Sequence, residues 1–245
     1  MEKNIDFSKN YFDDSPFYLR EFLIYISTIL GRSQNTVKGY YTDIKSFLRY
    51  VKLRYLNLTS VNFNEININD VSIEMLKTIE LLDVYEYLHF CMNDLSNNDK
   101  ARARKVSALR TFYKYLTVKS NLLENNPVKE LEIPSLKKSL PKYLSLNESV
   151  TLLENVSSSN KIRDFCILTL FLNCGMRLSE LVGINLEDIK DNTLKLLGKG
   201  NKERIIYLNE QCINTIEEYS KIRPKDTKEK NALFISKKGA RLSKR

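Results

Sequence analysis

Apolar residues recur at helical spacing along most of the chain, so the first half reads as a row of amphipathic helices. Ser15-Pro16 offers a serine cap followed by proline at the first helical position. Phe22, Leu23, Ile26, Ile29 and Leu30 then share one stripe, and Gly31 ends it. A second helix is expected from Ser33, with Val37, Tyr40, Ile44, Phe47, Leu48 and Val51 inward. Residues 56–69 are polar and β-tinged, a long connection with a short turn. Asp70 and Asp83 read as helix starts, and Lys100–Val118 as another helix that buries Val106, Leu109, Phe112, Tyr113 and Leu116.

Asn125-Asn126-Pro127 stops this series. Pro127, Pro134 and Pro141 then stiffen a segment that cannot be helical. The expected division is an arm over 1–14, a helical domain over 15–126, a linker over 127–142 and a second domain over 143–245. Past the linker, helices are expected from Leu146, over Lys161–Cys174 (buried) and from Asn209 to Tyr219. Between them the period changes from helical to alternating. Leu194 and Leu196, a Gly198-Lys199-Gly200-Asn201 turn and Arg204–Leu208 spell a β-hairpin. The last residues, from Lys237, read as basic and irregular. The fold class is therefore mainly α with a small antiparallel sheet.

Composition adds a charge. The 245 residues include 39 Lys and Arg against 30 Asp and Glu, a formal net charge of +9. That excess favours a polyanionic partner. Two outer stripes concentrate it: Asn35, Lys38, Thr42, Lys45 and Arg49 on one helix, and Arg104, Ser107, Arg110, Thr111 and Lys114 on another. Either stripe alone is compatible with plain solvation. Two in one small domain, with hydroxyls among the cations, suit phosphate contacts. Lys137 and Lys138 in the linker fit phosphate or mere solubility equally well. Cys91, Cys166, Cys174 and Cys212 lack CxxC spacing and read as buried thiols of a cytoplasmic protein. His89, the only histidine, cannot build a zinc site with them and is assigned to a packed or half-exposed position, so no metal is expected. No signal peptide and no apolar run of membrane-spanning length is present.

The chemistry gathers at Cys174–Leu208. Gly175 can end the preceding helix in the left-handed conformation, and Arg177 follows at once on a rigid scaffold. Glu180 lies one helical turn on, close enough to brace it. An arginine and a hairpin lysine held by the backbone suit a reaction that builds charge on a phosphate. The GKG is no P-loop, since the upstream glycine and the following Ser/Thr are missing.

RLSELVGI followed by LGKGNKER closely resembles the tyrosine recombinases of the Xer and phage integrase type, and a looser similarity covers nearly the whole chain. The resemblance implies a SAM-like helical domain that lays two helices on a DNA core site, followed by a catalytic domain. It implies that Arg177 clamps the scissile phosphate, that Lys199 is general acid to the leaving 5′ oxygen, and that Glu180 supports them. Lys38, Lys45, Arg49, Arg104, Arg110, Lys114, Lys137, Lys138, Lys202 and Arg204 become the expected DNA contacts. Double-stranded DNA and other recombinase protomers, in a tetrameric synapse, are the implied partners. No cofactor is needed, because a tyrosine conserves the bond energy as a 3′-phosphotyrosine. The family's His-x-x-Arg motif, its later His or Trp and its tyrosine nucleophile lie downstream of the equivalent of Leu233-Phe234. None is found there in this sequence. The chain is thus expected to cover the first domain and about half of the second, as a fragment or a natural truncation. A truncated, non-catalytic DNA-binding relative is the alternative reading.

Overall fold

The computed structural model describes residues 14–59, 61–135, 140–198, 200 and 202–244. The chain divides into two compact units, Met1–Ser139 and Leu140–Arg245. The expected arm lies almost wholly outside the described residues.

In the first unit, α1 (Phe17–Ile24) continues into one π turn, Tyr25–Ile29. Ser15 does not cap it. Pro16 takes the cap position with ψ 152°, and its carbonyl receives the first helical bonds from Leu19 and Arg20. The π turn adds a residue per turn and rotates the stripe, so Ile29 and Leu30 are exposed and not inward as expected. Gly31, at φ 58°, terminates the helix. The second helix, α2 (Gln34–Tyr55), starts where its cap predicts, with Ser33 Oγ accepting from Thr36 N–H.

Two starts shift. Asp70 pairs with Lys52 instead of capping, and α3 (Ile73–Lys77) begins after Ser72, whose hydroxyl accepts from Met75 N–H. Asp83 sits inside the first turn of α4 (Leu81–Asn93), where its carboxylate accepts from Glu80 N–H at 2.7 Å. His89, on α4, is exposed beside Asn93, against the expected packed or half-exposed place. The long fifth helix, α5 (Asp99–Val118), is capped by Asn98.

These helices close on an aromatic core. Phe22 meets Phe112 edge-on at 5.2 Å, and Phe47 meets Tyr87 at 5.2 Å. Val128 and Leu131 are buried in the same core, so the expected linker up to Leu131 packs as part of this unit.

The second unit opens with α6 (Leu146–Glu154), whose Ser145 and Glu148 form a reciprocal capping box. The next helix, α7 (Lys161–Cys174), is buried along one side only, through Cys166, Thr169 and Leu170, while Ile162 and Leu172 face outward. After it come α8 (Leu178–Gly183), β1 (Ile189–Lys190), β2 (Thr193–Leu197), β3 (Glu203–Tyr207) and α9 (Glu210–Ile222). The sheet is antiparallel in the order β1-β2-β3. Asp191 and Asn192, both with positive φ, make the two-residue β1–β2 turn. Leu194 and Leu196 point from β2 into a core with Leu170, Leu181, Cys212, Leu233 and Phe234.

The last segment is irregular as expected, and it is tied down. Ile235 bridges to Arg241, and the Arg241 guanidinium donates to the carbonyls of Val182 and Ile184. Buried Arg223 likewise donates to the carbonyls of Lys230, Ala232 and Leu233, fixing the strand-like run that carries Phe234.

Candidate functional site

Gly175 closes α7 at φ 55°, a conformation that costs glycine little and other residues more. Met176 is buried and anchors the turn. Arg177 follows in extended backbone, φ −80° and ψ 153°, and its carbonyl accepts from Glu180 N–H and Leu181 N–H to start α8. The chain direction is thus locked on both sides of Arg177, while its side chain is 66% exposed.

Glu180 is the opposite, with 1% of its side chain exposed. Its Oε2 accepts from Arg177 N–H at 2.8 Å, and its Oε1 from Arg177 Nη1 at 2.8 Å. The brace expected from spacing is present. A second guanidinium joins it: Arg204 Nη1 donates to Oε1 at 2.9 Å and Arg204 Nη2 to Oε2 at 2.8 Å. Burial works against ionisation, but the Arg177 N–H and then both guanidiniums outweigh it, holding this carboxyl at about 2.

The hairpin explains how Arg204 gets there. Leu196 pairs with Arg204 across β2 and β3, so Arg204 shares the inward side with Ile206, while Glu203, Ile205 and Tyr207 face out. Arg204, expected as a DNA contact, has its fork engaged by Glu180, with 40% of its side chain exposed. The sequence of β3 does not signal this, since Ile205 and Ile206 fall on opposite faces and pairing across the sheet settles which side Arg204 takes. Gly198 N–H donates to Lys202 carbonyl at 2.7 Å and closes the base of the turn. Lys199, the expected acid, lies outside the described residues, as do Lys137 and Lys138. Lys202 is exposed.

The two basic stripes of the first unit come side by side, since α2 packs on α5. Tyr40 and Thr111 share a hydrogen bond of 3.3 Å between them. Lys38, Arg110 and Lys114 are exposed. Lys45 is half-buried and lies over the Tyr41 ring, donating to its hydroxyl. Two expected contacts are engaged elsewhere. Arg49 donates to the carbonyls of Asn64 and Ile66 and pins the 62–67 connection, and Arg104 donates to the buried Asp43 at 2.6 Å.

The cysteines are free thiols, with Cys91, Cys166 and Cys212 buried and Cys174 partly so. Burial pushes Cys166 and Cys212 up to about 12, so neither is a thiolate nucleophile near neutrality. Among the described residues, no group of three or more His, Cys, Asp or Glu side chains is placed to hold a metal ion. No helix among them is long and apolar enough to cross a membrane.

Residues 19–120 match the N-terminal SAM-like domain of phage integrases, and residues 142–245 match the phage integrase family. The tyrosine recombinase XerC of Caldanaerobacter subterraneus subsp. tengcongensis is 50% identical over 230 residues, covering 93% of this chain and 65% of that protein. XerC of Staphylococcus epidermidis is 32% identical, covering 91% of this chain and 71% of its own. The chain thus spans about two thirds of the length of these relatives. Among solved structures, a lambda integrase dimer bound to a COC′ core site superposes with a TM-score of 0.64 at 15% identity, covering 94% of this chain and 61% of that one. A lambda integrase tetramer bound to a Holliday junction gives 0.65 at 14%, covering 100% and 67%. These two likenesses speak for the fold. On the family matches and the XerC identities, the chain belongs to the phage integrase family of tyrosine recombinases.

Proposed function

We propose that this chain binds duplex DNA and contributes the first part of the catalytic apparatus of a site-specific tyrosine recombinase. The observation that carries this reading is Arg177, an exposed guanidinium fixed between a left-handed glycine and a helix start, with a buried carboxylate beneath it. Such an arginine meets a phosphodiester without reorganising, which is what electrostatic stabilisation of phosphoryl transfer demands. Lys38, Lys45, Arg110 and Lys114 on α2 and α5 neutralise the backbone of the core site. Lys199, which falls between β2 and β3 in the sequence, protonates the departing 5′ oxygen as a tyrosine attacks phosphorus.

The nucleophile, the His-x-x-Arg pair with its second arginine, and the later His or Trp come from residues that follow this segment in a longer chain. Other protomers then assemble on the same DNA, in a tetramer for the complete protein. The relatives' names and the DNA-bound lambda integrase structures support the reading through family membership.

The test is duplex DNA binding at several salt concentrations, with Arg177→Ala as comparison. Binding with a steep salt dependence, weakened by Arg177→Ala, is expected. Salt-independent or absent binding would remove the DNA reading altogether.

A further inference from the structure

We infer that Arg204 is a positioning residue for Arg177: it holds Glu180 from the far side and leaves Arg177 with charge and donors for a phosphate. The inference rests on the reading of Arg177 as a phosphate clamp and deepens it.

A carboxylate offers about four acceptor sites, and Glu180 has four donors on it. Two belong to Arg177, its N–H and Nη1, and two to Arg204, Nη1 and Nη2. A lone Arg177–Glu180 pair would be neutral. With Arg204 present the cluster carries one net positive charge. Glu180 is 1% exposed, Arg204 40% and Arg177 66%, so the cluster opens furthest at Arg177. Only Nη1 of the Arg177 guanidinium is bonded to Glu180. Its other N–H donors remain for an incoming anion, because Arg204 occupies the remaining carboxylate positions.

Arg204 also docks the hairpin. It sits on β3 opposite Leu196, just after the turn. A Cβ added to Gly198 would lie 3.4 Å from Glu180 Oε1 and 3.3 Å from Lys202 carbonyl, so the base of the turn is seated on the same carboxylate. Remove Arg204, and Glu180 keeps one cationic partner. The natural response is a two-point pair with Arg177, which neutralises that guanidinium and draws it off the phosphate.

A thermodynamic cycle on the 245-residue chain separates this role from a direct grip on DNA. The salt slope of duplex binding is measured for wild type, Arg177→Ala, Arg204→Gln and the double variant. Each phosphate that is no longer neutralised lowers the slope by about 0.9. Arg177→Ala and Arg204→Gln should each free about one phosphate, and the double variant still only one. Adding Glu180→Gln to Arg204→Gln should restore the slope, since no carboxylate is left to sequester Arg177. The Glu180 carboxyl, followed by carbon-13 NMR without DNA, should rise from about 2 in Arg204→Gln. Additive reductions in slope, no restoration, or an unmoved Glu180 titration would each overturn the inference. If Arg177→Ala alone leaves the slope unchanged, the clamp reading fails instead, and the NMR titration still decides whether Arg204 governs Glu180. Should Arg204→Gln not fold, Arg204→Lys replaces it, keeping the charge without the fork. Non-additivity is again expected, and an additive reduction or wild-type behaviour would overturn the inference.

Discussion

Arg104 on α5 donates to Asp43 on α2 at 2.6 Å, and the carboxylate it reaches is 1% exposed. Lys105 lies 3.4 Å from the other oxygen of the same carboxylate. Arg104 therefore serves the packing of two helices as well as their outer face. Replacing it with alanine should cost roughly 1 kcal/mol, given that its own side chain is half in solvent. That is a fall in Tm of about 2–4 °C for a chain of this size. Arg110→Ala and Lys114→Ala, both at exposed positions, should leave Tm within error and instead lower the salt slope of DNA binding by up to about 0.9 each. Melting curves and salt titrations of the three variants check this. An Arg104 variant as stable as wild type would refute the division.

Glu180 makes folding sensitive to acid. Its carboxyl sits at about 2 in the folded chain, below its ordinary value of 4.5, so the folded state binds that proton more weakly than the unfolded state does. The stabilisation is complete above the ordinary value and fades as pH falls toward 2. Melting temperature measured from pH 7 to pH 2.5 should therefore drop more steeply below about 4.5 in wild type than in Glu180→Gln. At pH 7 the same substitution should cost roughly 1.5–3 kcal/mol, the usual range for hydrogen bonds to a charged group. Parallel curves would mean that the two arginines do not hold the carboxylate in solution.

The described residues between the two cores are mostly exposed. Leu131 is buried in the first core, whereas 132, 133, 135 and 140–145 are exposed. Brief trypsin treatment should cut after Lys142 and release two resistant pieces. Retention of the intact chain under conditions that cut an unfolded control would contradict separate units.

Helical periodicity made α2 and α5 legible because each has a polar cap and an apolar stripe, whereas α7 was legible from its apolar run and the stop at Gly175. The starts of α3 and α4 were displaced because acidic residues suit several places in a first turn, and Asp70 and Asp83 found Lys52 and Glu80 N–H instead. The π turn after Ile24 could not be read, since nothing in Tyr25–Ile29 departs from an ordinary helical pattern. The Arg177–Glu180 brace is local, one turn of helix, and spacing exposes it. Its third member is 24 residues from Glu180. Only the register of β3 brings Arg204 inward, and register is settled by pairing across the sheet. A basic residue in a basic hairpin invited a DNA role, and its pairing with a distant buried carboxylate was not legible.

The last prediction concerns catalysis. Arg177 can stabilise a pentacovalent phosphorus and Lys199 can deliver a proton, but neither attacks phosphorus. Loss of an electrostatic donor costs about 10²–10³ in rate, whereas loss of the nucleophile removes the covalent route. The 245-residue chain should accordingly form no covalent complex with a nicked suicide substrate. A chain extended by a segment bearing the His-x-x-Arg pair and a tyrosine should form one. In that extended chain, Arg177→Ala should reduce trapping by at least the electrostatic factor. Lys199→Ala should be rescued selectively by a substrate with a 5′-thio leaving group, because sulfur departs without a proton. Arg177→Ala should not be rescued by sulfur, since charge on the non-bridging oxygens is unchanged by the leaving atom. Gel mobility of the trapped species measures all four cases. If the thio substrate restores nothing to Lys199→Ala, the lysine orients DNA and the proton comes from elsewhere. If the unextended chain traps DNA, one of its own 14 tyrosines is the nucleophile. Tyr207, exposed on β3, would then be the first to replace with phenylalanine.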